Sequence, residues 1–183
     1  MMIDSLLAAW IGDWAPSSLF YAERLLYLPQ GILATAMSTV LLPVLSGHAS
    51  QQRLDDIRTT LQESLRTLLF VMVPAAIGLL VLARPIIQTL FEWGRFTESS
   101  TDLTARALMF YAPGLFVFCL AKVFVPAFYA MQDTRTPVRV GLASVALNFT
   151  LNIIFILTLP TYWKHAGLAL STVISESVNG LTL

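Results

Sequence analysis

Charged positions along this chain are sparse and clustered, and the uncharged intervals between them are long. Leu19–Leu45, Thr67–Ala83, Thr104–Ala130 and Val140–Tyr162 are four predominantly apolar runs with few ionisable residues. About 20 such residues, wound as helix, cross the hydrocarbon layer of a bilayer. Leu6–Gly12 is too short to cross alone and reads as a half-helix or the tail of a span, and Ala166–Leu183 begins a further helix. The pattern predicts an all-α, polytopic transmembrane helix bundle of about six spans, four complete and two partial, in a single domain over residues 1–183. Connections are short, so neighbouring helices run antiparallel.

The polar intervals predict the joints. Asp13–Ser18, with Pro16, reads as a turn in which Ser17 or Ser18 caps the next helix. Within His48–Gln62, Leu54, Ile57, Leu61 and Leu65 fall on one helical face. That stripe predicts a short amphipathic helix at the membrane surface. Phe91–Asp102 reads as a loop turned at Gly94, and Gln132–Arg139 as a tight polar turn ended by Pro137. His48 and His165 both fall in predicted loops. Pro29, Pro43, Pro74, Pro113, Pro126 and Pro160 lie in or beside the spans, where each removes a backbone hydrogen bond and bends the helix.

Composition agrees with the pattern. Hydrophobic residues make up 56% of the chain and charged residues 12%, about half the charge fraction of a soluble domain. Formal net charge is zero, which gives no basis for nucleic-acid binding. Cys119 is the only cysteine, so neither a disulfide nor a cysteine metal site is available. The start, MMIDSLLAAWIGDW, lacks the basic segment of a secretory signal and reads like helix interior, as expected of a piece of a longer protein. No nucleophile–base spacing or glycine-rich phosphate loop is present, so the chain is not expected to be an enzyme. Lys and Arg are five against four in favour of the His48–Arg66 and Gln132–Arg139 connections, which points to those two being cytoplasmic.

Candidate chemistry sits inside the spans. Arg24 heads a stretch with no acid or base other than His48 until Arg53. On a regular helix it shares a face with Tyr27 or Leu28, Gly31, Thr35, Ser38 and Leu42. A charge at the bilayer centre costs about 2.5–3.5 kcal/mol. Arg24 therefore either snorkels to headgroups, paired with Glu23, or faces a polar cavity where an anion visits it; spacing leaves both open. Lys122, deep in an apolar run, faces the same choice, with the inward reading favoured. Ser144, Asn148 and Asn152 recur every four residues. They read first as helix–helix hydrogen bonding and second as amide oxygens for a hard cation, with Asp4 and Thr172 completing the set. Glu176, with Thr172 and Asn179, has the same two readings.

Three strings carry a family resemblance. YAERLLYLPQGILATAMSTVLLPVLS, FEWGRFTESSTDLTARAL and KVFVPAFYAMQDTRTPV together resemble the lipid II flippase (MurJ) family of the multidrug/oligosaccharidyl-lipid/polysaccharide exporter superfamily. The likeness runs from about Asp4 to the C-terminus, and the third string is the most specific. It implies a fourteen-span, two-lobed transporter of the bacterial inner membrane that flips the lipid-linked peptidoglycan precursor by alternating access. This chain resembles the start of the second lobe, roughly the seventh to twelfth spans, so its partners would be lipid II, membrane lipids and the first lobe. The resemblance puts Arg24, beside Glu23, at a cavity position that binds substrate, with Lys122 as a second cation. Glu23 stands where many members have Asp, and Tyr27 where some carry a further acid. Some members bind sodium; the matching positions are Asp4, Asn148, Asn152, Thr172 and the Leu168 carbonyl, and some members have Asp where Asn152 stands here. No other cofactor is implied. The rivals are a related exporter of polysaccharide lipids or drugs, and a membrane scaffold whose polar stripes only pack.

Overall fold

The computed structural model describes residues 7–8, 14–94 and 96–183, which contain helices and turns but no strand. The chain opens on a long rod: α1 (Trp14–Pro29), one π-helical segment (Gln30–Ala34) and α2 (Thr35–Ser50). At 37 residues it is about 55 Å long, well beyond a hydrocarbon layer of about 30 Å, so the rod tilts or projects. A π turn carries one residue more than an α turn and commonly follows a local break in the hydrogen-bond ladder. Here it comes directly after Pro29. Upstream the buried positions are Ala15, Ser18, Leu19, Ala22, Leu25 and Leu26; downstream they are Ala34, Leu41 and Leu45.

The turn expected over Asp13–Ser18 is not there, because α1 is helical from Trp14. Pro16 occupies its first turn, where the missing N–H costs no hydrogen bond. The Ser18 hydroxyl donates back to the Ala15 carbonyl (2.9 Å) instead of capping.

The remaining helices are α3 (Leu54–Val81), α4 (Ala83–Phe91), α5 (Glu98–Tyr111), α6 (Leu115–Ala130), α7 (Arg135–Thr158) and α8 (Thr161–Thr182). Gln52, with φ at 56°, adopts the left-handed conformation that ends α2. The amphipathic stripe from Leu54 to Leu65 is not a separate surface helix. It forms the first turns of α3, with Asp55 and Asp56 at the dipole's positive end. The short surface-type helix is α4, which the apolar pattern did not separate from α3. Of the expected Phe91–Asp102 loop, residues 92–94 and 96–97 are non-helical, while Phe91 ends α4 and α5 starts at Glu98. Pro113 lies in a 3₁₀ turn (Ala112–Gly114) that joins α5 to α6. His165 belongs to α8 and is fully buried, edge-on to Trp14 (5.1 Å), contrary to its loop assignment.

The turn before α7 is shorter than expected, because Arg135–Arg139 is already helix. One Asp133 oxygen accepts the Arg135 and Thr136 amides (both 3.0 Å), and the other accepts the Thr136 hydroxyl (2.6 Å). These bonds, the Thr136 hydroxyl first, hold the Asp133 carboxyl below its usual range. Because the folded-state pKa is the lower one, the contact stabilises above the ordinary carboxylate range and is lost as pH falls through the lowered value. Asp133→Ala is expected to speed amide exchange at Arg135 and Thr136 at neutral pH. Unchanged exchange at both amides would remove this cap.

In the bundle, α6 packs against α2, α3 and α8, while α5 lies on α1, α4 and α8; α7 rests mainly on α8. Among the described residues, four stretches are long and apolar enough to cross a membrane: Trp14–Ser50, Leu54–Val81, Glu98–Ala130 and Arg135–Thr158. Each overlaps one of the four complete spans expected, but the second ends at Val81 rather than Ala83 and the fourth at Thr158 rather than Tyr162. The polarity of α7 is inverted relative to a soluble helix. Ser144, Asn148 and Asn152 are buried against α8, while Val138, Leu142, Val145, Phe149, Ile153 and Leu157 form an exposed stripe on the other side. Hydrocarbon, or a further helix packed on that side, makes the arrangement favourable.

Candidate functional site

Two groups of polar side chains are built into the membrane helices. The first is centred on α1. Glu23 accepts a hydrogen bond from the Tyr111 hydroxyl (3.3 Å), and Tyr111 is completely buried at the end of α5. A contact between residues 88 positions apart ties the acid to the bundle and leaves its neighbour to point elsewhere. Arg24 is exposed on the outside of the helix, its guanidinium 4.8 Å above the Phe20 ring. Tyr27, one turn on, lies within the electrostatic reach of Glu23, Arg24 and Glu176. Glu176 enters from α8, where it accepts a bond from the Asn179 amide (3.1 Å).

Gly31 lies on the same side, and a methyl group placed there would meet nothing within 4 Å. Thr35 and Leu42 are exposed as well. This face of the rod is uncovered within the chain.

Lys122 is exposed and lines a cavity of about 370 Å³ between α2 and α6, together with Ser38, Leu42, Val125, Pro126 and Tyr129. Ser38 and Leu42 are therefore common to the uncovered face and to the lysine's cavity. Ser38 is about 20 Å along the rod from Arg24. Arg24 and Lys122 do not converge on one point: the π-helical segment Gln30–Ala34 turns the rod between Arg24 and Ser38.

The second group is a ladder between α7 and α8. The Ser144 hydroxyl donates to the Ser175 carbonyl (2.7 Å), the Asn148 amide to the Thr172 hydroxyl (3.3 Å), and the Asn152 amide to the Asn148 side-chain oxygen (3.1 Å). The Ser171 hydroxyl donates to the Asn152 side-chain oxygen. Ser171 and Thr172 also hydrogen-bond the Leu168 carbonyl, at 2.8 and 3.1 Å. All of these side chains are buried. Interhelical bonds of this kind contribute about 0.6 kcal/mol each in a membrane protein, so the ladder suffices to hold α7 against α8.

The expected cation ligands Asn148, Asn152, Thr172 and the Leu168 carbonyl are thus neighbours, whereas Asp4 lies outside the described residues. The oxygens of Asn148, Asn152, Thr172 and Leu168 are the hard, neutral donors that suit an alkali cation. No group of three His, Cys, Asp or Glu side chains suited to a metal occurs among the described residues. Sequence reasoning missed Tyr111, Ser171 and Ser175. The last two were legible in principle, since Leu168, Ser171, Thr172 and Ser175 follow helical spacing. Tyr111 was not, because its partner is set by how α5 crosses α1.

Comparison with known proteins gives one consistent result. The family model described as "Lipid II flippase MurJ" matches residues 1–183. A probable lipid II flippase MurJ from Vibrio cholerae is 36% identical over 179 residues, covering 98% of this chain and 33% of that protein. One from Rhizobium meliloti is 39% identical over 93% of this chain and 31% of its own length. The lipid II flippase MurJ of Burkholderia cenocepacia is 33% identical over the whole of this chain and 35% of its own. A solved structure of a lipid II flippase MurJ in an inward closed conformation superposes with a TM-score of 0.85 at 29% identity, covering 98% of this chain and 37% of that one. The chain therefore spans about a third of the length of the relatives it matches.

Proposed function

The chain belongs to the MurJ lipid II flippase family, and from that membership we propose that it supplies part of the second lobe of a transporter that flips lipid-linked peptidoglycan precursor across the bacterial inner membrane. The observation that carries this reading is an exposed guanidinium, Arg24, on an uncovered face of a membrane-crossing rod, beside an acid already engaged by Tyr111. An exposed cation on a membrane-crossing helix is stable when an anion or water reaches it, and the planar fork of arginine suits the two phosphates of a pyrophosphate. The exposed positions of the rod, Arg24 before the π-helical segment and Thr35 and Leu42 after it, are then surfaces that the first lobe would cover, with Lys122 as a second positive point further along. Alternating access needs both lobes, so the activity belongs to the complete transporter. The turns at Gln52 and Gln132 would face the cytoplasm, following the slight excess of arginine there.

Sodium is the coupling ion this reading favours, held by the Asn148 and Asn152 amide oxygens, the Thr172 hydroxyl and the Leu168 carbonyl. A bound cation would supply a positive charge that locks α7 to α8. Asparagine at position 152 gives a weaker site than an aspartate would.

The test is transport of lipid-linked precursor by the complete protein in proteoliposomes, read by an enzyme confined to the far side. Translocation should respond to an imposed membrane potential. It should fall severalfold when sodium is replaced by choline. Absence of translocation under every gradient would overturn the transporter reading, and translocation indifferent to sodium would overturn the ion assignment alone.

A further inference from the structure

The end of the bundle away from Gln52 and Gln132 carries an open cavity of about 440 Å³, where α4 and α8 begin beside the first turns of α5. Arg84 comes from α4, Asp102 and Arg106 from α5 and Trp163 from α8, with Met109 and Phe110 as apolar walls. None of these residues belongs to the Arg24 face or to the ladder between α7 and α8.

Both signs of charge meet in this hollow. Arg84 donates to Glu98 (3.0 Å) with one nitrogen and pairs with Asp102 (3.2 Å) through another. Arg106 is partly buried, its guanidinium 4.8 Å above the Trp163 ring, and Phe110 stands edge-on to the same ring (6.2 Å). The lining charges and the Glu98 that joins them are thus two guanidiniums and two carboxylates, which sum to zero.

The depth is that of a lipid headgroup. The stretch from α5 to the end of α6 runs 33 residues, about 50 Å as helix against about 30 Å of hydrocarbon, which leaves roughly 10 Å beyond it at each end. Arg106 is about 12 Å along α5 from its start at Glu98, and so lies at that boundary. Tryptophan and arginine are residue types that anchor helices there, and Trp163 is 42% exposed. Met109, exposed as well, and Phe110 lie on the hydrocarbon side of the charges, further along α5.

We propose that this cavity binds a zwitterionic phospholipid of the phosphoethanolamine class, taken from the surrounding leaflet. Its phosphate meets the Arg106 guanidinium, whose planar fork suits phosphate oxygens. Its ammonium donates to the Asp102 carboxylate, and its acyl chains lie along Met109 and Phe110. A lining of zero net charge selects a headgroup carrying both signs over one that is only anionic, because Asp102 and Glu98 repel a further negative charge. A primary ammonium also brings three N–H donors to Asp102, where the methylated nitrogen of choline brings none. The site is chemically independent of the cargo; only the leaflet, the outward one, follows from the orientation proposed above.

The experiment places the complete protein in phosphatidylcholine nanodiscs that contain a fixed fraction of chain-brominated phosphatidylethanolamine, phosphatidylglycerol or phosphatidylcholine. Bromine quenches tryptophan on contact, and the difference between the wild type and Trp163→Phe isolates the lipid beside Trp163. Quenching there by the ethanolamine lipid is expected to exceed that by the choline lipid about threefold at equal bromine content. Asp102→Asn should abolish this preference, and Arg106→Gln should weaken quenching by all three lipids. Thermal melting checks that each variant is folded; should Arg106→Gln not fold, Asp102→Asn, at a side chain 46% exposed, carries the test. Equal quenching by the three lipids makes this ordinary boundary contact and overturns the proposal. Stronger quenching by the glycerol lipid makes it an anion site and overturns it as well. So does an ethanolamine preference that survives Asp102→Asn, or quenching that a folded Arg106→Gln leaves intact.

Discussion

Arg24→Ala in the complete transporter is expected to abolish rescue of flippase-depleted cells while leaving the amount of protein in the membrane unchanged. The two halves of that expectation have different causes. Arg24 is exposed and leans on Phe20, so its removal opens no cavity in the core. On the proposed reading, what it removes is the phosphate-binding group of the rod. A hydrogen bond to a charged group contributes about 1.5–3 kcal/mol, so losing a bidentate pair weakens binding by roughly two orders of magnitude or more. Arg24→Lys keeps the charge but loses the planar fork, and should retain partial activity. Normal growth with Arg24→Ala at normal protein levels would remove this residue from the substrate path. Loss of the protein from the membrane would instead assign it a structural role.

The second large effect concerns Gly114, in the 3₁₀ turn between α5 and α6. A methyl group added there would lie 2.7 Å from one Val173 methyl, 3.1 Å from the other and 3.0 Å from the Phe118 ring. Those distances are inside van der Waals contact, so α8 must move away or side chains must leave their rotamers. Overpacking of this kind costs about 1–3 kcal/mol, and a leucine costs more than an alanine. Gly114→Leu should lower the melting temperature in detergent by several degrees and reduce the yield from membranes. Gly141→Leu is the control, because nothing lies within 4 Å of a side chain there. Val173→Ala removes the first obstacle and should restore part of the loss caused by Gly114→Ala. If the double variant is no better than the sum of the singles, the clash is not the cause.

Membrane topology was legible because its signal is local. Twenty uncharged residues identify a span whatever they touch, and the Ser144–Asn148–Asn152 repeat marks a polar face that hydrocarbon cannot cover. The joints were less legible, and for one reason throughout. Helix ends are polar: Glu98–Asp102, Arg135–Arg139 and Trp163–His165 have the composition of loops, yet each is wound as helix, with Asp133 supplying the capping bonds at Arg135. Proline misled similarly at Pro16 and Pro137, where the first turn tolerates it. The Glu23–Tyr111 bond needed the crossing of α1 and α5, which no single helical pattern contains. The side of α1 and α2 bearing Arg24 was drawn on an uninterrupted α-helix. The five residues after Pro29 break that assumption.

Those five residues set the angular phase of everything downstream in the rod. A strict α-helix continuing the buried set Ala15, Leu19, Ala22 and Leu26 would turn positions 33, 40 and 44 inward, whereas Ala34, Leu41 and Leu45 are the ones enclosed. The offset is one residue, or about 100° of rotation. A single-residue deletion anywhere from Gln30 to Ala34 would thus repair the helix locally and yet rotate α2 out of alignment with α6. Single-residue length differences at this place should track the rotational seating of α2 more closely than the side chain gained or lost.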